Sequence, residues 1–75
     1  MRYTKCDSSA LSAYRYDEGS RELSVVFKDH LTYKYLEVEP ETYEKFLKME
    51  SRGKAFNQLI KPYHQDKYVG VYREE

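Results

Sequence analysis

Two alternating runs on either side of a two-residue break constrain this chain more than any other feature. From Glu22 to Lys28, Leu23, Val25 and Phe27 fall on one side and Ser24, Val26 and Lys28 on the other, the pattern of a half-buried strand. After Asp29-His30 the alternation resumes from Leu31 to Leu36, where Tyr33 and Tyr35 share one parity and Thr32, Lys34 and Leu36 the other. Asp and His both tolerate positive φ, so the break reads as a short turn between antiparallel strands. Two rings on one strand face are either core or a platform on which nucleobases can stack. Which one holds depends on the face that the rest of the chain covers. The apolar set Leu23, Val25 and Phe27 has to be covered, so the face that holds it is the helix face, and cross-strand register decides whether the tyrosines share it.

Upstream, the Tyr-, Ala- and Ser-rich segment from Ser9 to Tyr16 runs into Asp17-Glu18-Gly19-Ser20, where Asp and Gly are typical of a hairpin connection. Downstream, Pro40 followed by Glu41 marks a helix start, because proline suits the first helical position and an acid there favours the positive end of the dipole. Tyr43, Phe46 and Leu47 lie on one stripe of that helix. Ser51-Arg52-Gly53 breaks it, and a second short helix from about Lys54 carries Phe56, Leu59 and Ile60 before Lys61-Pro62 ends it. The expected fold is therefore α+β, a small antiparallel three-stranded meander packed by two short helices. The tail, with Tyr63, Tyr68, Val69, Val71 and Tyr72, either adds a C-terminal edge strand or lies over the core, and Glu74-Glu75 are expected to fray.

At 75 residues there is room for one domain, near the size at which only roughly 60% of the unfolded surface can be buried. With so small a core to fill, burial of at least one of Tyr33 and Tyr35 is expected. Cys6 is the single cysteine, which excludes an intrachain disulfide. The polar start and the lack of any run near ~18 apolar residues point away from export and membrane insertion, so a cytoplasmic setting is the default expectation.

Thirteen basic and thirteen acidic residues cancel, which removes the simplest case for a nucleic-acid partner, an overall positive field. The charges do separate along the chain. Glu37, Glu39, Glu41 and Glu44 are followed by Lys45, Lys48, Arg52, Lys54, Lys61 and Lys67 against only Glu50 and Asp66. The plain reading is solvated helix faces, with Glu44 and Lys48 an i,i+4 pair. The sharper one is a basic stretch, with Ser51, Gly53 and Asn57 joining Arg52 and Lys54 in a small nest for a phosphate or carboxylate. Structural roles compete here too: Gly53 as a positive-φ helix end and Asn57 as a tie from the second helix to the sheet.

No catalytic or metal constellation appears. Ser8 and Ser9 with His30 or His64 lack a strained nucleophile turn and an identifiable orienting acid, so the serines read as local backbone-bonding residues. Cys6, His30 and His64 lack zinc spacing, and no cofactor is implied.

Ser8-Ser9, Tyr16-Asp17 before a turn, Leu23-x-Val25-x-Phe27, Tyr33-x-Tyr35, Val38-x-Pro40 and Ser51-x-Gly53-x-x-Phe56-Asn57-x-x-Ile60 follow one another in the order and spacing of the KTSC domain. The chain resembles that family from Ser8 to about Tyr63, which sets residues 1–7 as a lead-in, 8–63 as the KTSC-like domain and 64–75 as a Tyr-rich extension. It departs at Asp29-His30, where a glycine is usual, and in the extension. Similar domains occur alone in bacterial and phage proteins and at the C-terminus of some lysyl-tRNA synthetases, an attachment that implies RNA binding.

Two non-enzymatic functions are thus expected. One is binding of RNA or another single strand, with Tyr33 and Tyr35 stacking bases while Lys45, Lys48, Arg52, Lys54 and Lys61 touch the backbone. The other is a protein-interaction module, an accessory that docks a larger enzyme through its tyrosines and an edge strand.

Overall fold

The computed structural model describes residues 3–6, 8 and 10–72; Ser9 and Glu74-Glu75 lie outside the described residues. Five antiparallel strands, β1 (Thr4–Lys5), β2 (Leu11–Asp17), β3 (Glu22–Phe27), β4 (Leu31–Tyr35) and β5 (Asp66–Val71), lie side by side in chain order. The fold is α+β as expected, with five strands where three and an optional fourth were anticipated. The added strand, β1, has only two residues, too few to show an alternation. Lead-in and extension each contribute one edge of the sheet.

Both hairpins close on side-chain chemistry visible in the sequence. The Asp17 carboxylate accepts from the Gly19 and Ser20 amides at 3.0 and 3.3 Å, and the left-handed residue of that turn is Arg21, at φ 58°. His30 takes φ 69° between β3 and β4, and the Asp29 carboxylate accepts from the Leu31 amide at 3.1 Å.

Register settles the parity question. Leu23 faces Tyr35 and Val25 faces Tyr33, so the rings share the apolar face that the helices cover. A bulge at Ser12, between the Leu11–Phe27 and Ala13–Val26 pairs, lets Leu11, Tyr14 and Tyr16 all reach that same face. The core there comprises Leu11, Tyr14, Leu23, Val25 and Tyr35 from the sheet, Val38 from the connection, and Phe46, Ala55, Phe56 and Ile60 from the helical layer. Each fully buried aliphatic side chain contributes about 1.5–3 kcal/mol.

Helix α1 (Pro40–Lys48) begins as the sequence predicts, with Pro40 in the first turn and Glu41 beside it. Its approach is pinned to the β2–β3 hairpin: the Tyr16 hydroxyl donates to the Val38 carbonyl at 2.6 Å, and the Val38 amide donates to the Arg21 carbonyl at 2.8 Å. Helix α2 (Arg52–Ala55) starts two residues earlier than predicted and widens into a π-helical turn over Phe56–Ile60. Ser51 stands outside both helices, so the break after α1 falls where expected, but it also acts as N-cap of α2, its hydroxyl accepting from the Lys54 amide at 3.3 Å.

Two expected roles in this region are corrected. Gly53 is not a positive-φ terminator; it lies buried inside α2, where a Cβ would stand 2.7 Å from Ser8 Oγ. Close approach of the Ser8 hydroxyl, not backbone conformation, favours glycine there. Asn57 is exposed and makes no side-chain hydrogen bond to the sheet. No helix of the described residues is long and apolar enough to cross a membrane.

Candidate functional site

Tyr35 is 5% exposed and packs edge-to-face on Phe56 at 5.0 Å, so it is core rather than platform. Burial, with the Asp66 carboxylate as a lesser cause, pushes its phenol up to about 12 from an ordinary 10. Because the folded phenol holds its proton more tightly than the unfolded one, this contribution is fully present below pH 10 and is lost as pH rises toward 12. Urea midpoints followed from neutrality to pH 12 should therefore fall more steeply for the natural chain than for Tyr35→Phe; parallel curves would contradict the assignment. Tyr33 is half-buried between Phe27 and Tyr68, edge-to-face with each at 5.7 and 5.4 Å.

The predicted basic stretch is dispersed in role. Arg52 Nη1 donates to the Phe46 and Met49 carbonyls at 2.8 and 2.6 Å and lies 5.8 Å over the Phe46 ring, so the guanidinium closes the C-terminal end of α1. Lys45, Lys48, Lys54 and Lys61 are exposed on the helical layer. Ser51, Gly53 and Asn57 serve as cap, close-packing position and surface residue. A groove of about 440 Å³ does open beside them, bordered by Lys5, Cys6, Ser8, Glu50, Ser51 and Arg52, but its guanidinium and Ser51 hydroxyl are committed to helix ends and Glu50 brings a negative charge.

The other sheet face gathers a different set. Arg15 faces Ser24, Ser24 faces Lys34 and Lys34 faces Lys67, one cross-strand row from β2 to β5 on the side away from the helices. Adjacent strands are about 4.8 Å apart, so the row spans about 14 Å. Tyr3 and Tyr72, from the two sheet edges, meet edge-to-face at 5.2 Å, and the Arg15 guanidinium lies 6.0 Å from the Tyr3 ring. In the adjacent row Ala13, Val26 and Thr32 are buried although no helix covers them. The sheet is therefore curled enough for its edges to approach.

Charge on this face is only partly neutralised. Glu22 pairs with Lys34 at 3.4 Å, whereas no carboxylate among the described residues reaches Arg15 or Lys67 within ion-pair distance. Arg15 Nε is out of contact with solvent and has no hydrogen-bond partner. A buried donor left unmatched costs about 1–3 kcal/mol.

Sequence reasoning did not bring Tyr3, Arg15, Ser24, Lys67 and Tyr72 together, and placed Lys34 only as pointing away from the rings. Parity gave half of the signal. Alignment of Arg15 and Lys67 with Lys34 required the register, which the sequence does not print.

The KTSC domain pattern matches residues 7–64. An uncharacterized protein of Stutzerimonas stutzeri is 36% identical over 64 residues, spanning 85% of this chain and 90% of its own length. A protein of Tsukamurella paurometabola is 39% identical over 56 residues, 75% of this chain and 84% of that one. The crystal structure of a KTSC domain protein from Yersinia pestis superposes with a TM-score of 0.85 at 28% identity, over 92% of this chain and 97% of that one. In sequence and in fold, the chain belongs to the KTSC domain family.

Proposed function

We propose that this small domain is a non-enzymatic module that binds RNA or another single-stranded nucleic acid across the sheet face opposite the helices. The observation that carries the reading is the row Arg15, Lys34 and Lys67 with the Tyr3 and Tyr72 rings beside it. Cations gathered in one cross-strand row meet backbone phosphates, while phenol rings offer π-faces to bases without demanding a sequence. Such local asymmetry compensates for a net charge of zero. This interface replaces the Tyr33–Tyr35 platform and leaves the helical lysines as solubilising surface.

Protein docking at the β5 edge is the weaker reading. Tyr68, Val69 and Val71 are exposed there, yet Asp66 and Lys67 charge the start of the strand and a bulge at Val69 interrupts it. Gly70 takes φ +147° beside the bulge. Charges and bulges are the devices by which sheet edges resist pairing.

Fluorescence anisotropy with short unstructured RNA and DNA tests the proposal. Each neutralised phosphate adds about −0.7 to the slope of log affinity against log salt, so two to three phosphates met by the row predict a slope of about −1.4 to −2. Absence of binding at low salt would overturn it.

A further inference from the structure

We infer that Arg15, Ser24 and Lys34 form a receptor for a single phosphate group on the sheet face away from the helices. The inference rests on the nucleic-acid reading for its place in the molecule and adds the group that the face recognises.

Three observations converge on it. Arg15 Nε is buried without a partner, and no carboxylate among the described residues neutralises its guanidinium. Ser24, directly opposite in the register, is nearly buried, and its hydroxyl makes no hydrogen bond within the described structure. Lys34 follows in the same row and brings a second cation, whose facing acid is Glu22 at 3.4 Å. A tetrahedral oxyanion suits this set. One edge accepts from the side-on fork of Nε–H and Nη–H, a third oxygen accepts from the serine hydroxyl, and the ammonium supplies point charge. An apolar ligand would leave the same donors unmatched.

Access defines a moving part. The Tyr3 ring lies over the guanidinium and touches Tyr72, so entry of the oxyanion requires Tyr3 to swing aside and give up that ring contact. Tyr3 precedes β1 and is not held in the strand ladder, which makes it the side able to yield.

The chemistry fits a backbone phosphodiester as well as free phosphate, and two titrations separate them. In ¹⁵N-labelled protein the Arg15 Nε–Hε resonance is followed against inorganic phosphate and, separately, against a short oligoribonucleotide, with sodium chloride at matched ionic strength as reference. The expected result is a saturable shift with either ligand beyond the chloride reference. Arg15→Lys keeps the charge but loses both the fork and its own resonance, so the Ser24 backbone amide serves as reporter in both proteins; its shift with phosphate is expected in the natural chain and lost in the variant, and oligonucleotide binding is expected to weaken about tenfold. A shift with oligonucleotide alone supports the receptor and assigns it to phosphodiester. A shift with inorganic phosphate in a protein that does not bind RNA supports the receptor and overturns the nucleic-acid reading. RNA binding by anisotropy with Arg15 unmoved by both ligands overturns the receptor and leaves that reading intact. Silence in every arm overturns both.

Discussion

Replacing Phe46 by alanine will lower the melting temperature by roughly 15–30 °C, a loss of about 3–5 kcal/mol at about 4–8 °C per kcal/mol for a domain of this size. Phe46 is fully buried and packs edge-to-face on Tyr14 at 5.2 Å and parallel to Tyr43 at 6.0 Å. It is also the ring under Arg52, and its own carbonyl accepts from that guanidinium. Truncation therefore opens a cavity and loosens the closure between α1 and α2. A small domain holds on the order of 5–10 kcal/mol in total, so the variant should be partly unfolded near body temperature. Thermal melts by circular dichroism measure it directly, and a shift of only a few degrees would mean that the core is held elsewhere.

The second large effect concerns binding. Lys34→Gln with Lys67→Gln removes two charges from the open face, whereas Lys45→Gln, Lys48→Gln and Lys54→Gln together remove three from the helical layer. If total charge governed affinity, the triple variant would be the weaker binder. The sheet row predicts the reverse: the double variant loses roughly tenfold in RNA affinity and about 0.7–1.4 in salt slope, and the triple variant changes little. Both sets are surface substitutions, so melting temperatures should stay within a few degrees of the natural chain and any loss reports the interface. Equal losses in the two variants would remove the sheet face from consideration.

The difference between the site anticipated from the sequence and the one now proposed has a specific origin. The strand alternation of 22–36, the helix start at Pro40 and the helix end at Lys61-Pro62 were legible because each depends on residues adjacent in sequence. The positive φ expected around Asp29-His30 is found at His30 for the same reason. Cross-strand neighbours depend on two bulges. At Ser12 the extra residue puts Leu11 and Tyr14 on one face in spite of their opposite parity, and at Val69 it does the same for Tyr68 and Val71. Neither position bears a mark that simple alternation could reveal, so Arg15 and Lys67 could not be aligned with Lys34 in advance. Gly53 and Arg52 were misjudged because their roles, room for Ser8 and closure of α1, are tertiary.

The strands lie in space in the order in which they occur in the chain, with one long interval among them. Pairings β1–β2, β2–β3 and β3–β4 each span a short connection, while β5 joins only after the segment from Leu36 to Gln65, which holds both helices. Loop-closure entropy makes the first three pairings early and the last one late. During synthesis the flank of β4 thus stands uncovered until β5 (Asp66–Val71) emerges, with Tyr33 and Tyr35 already aligned along it. An unprotected, aromatic sheet edge is the form in which nascent chains associate with one another, so the time to deliver β5 sets this protein's exposure to misassembly.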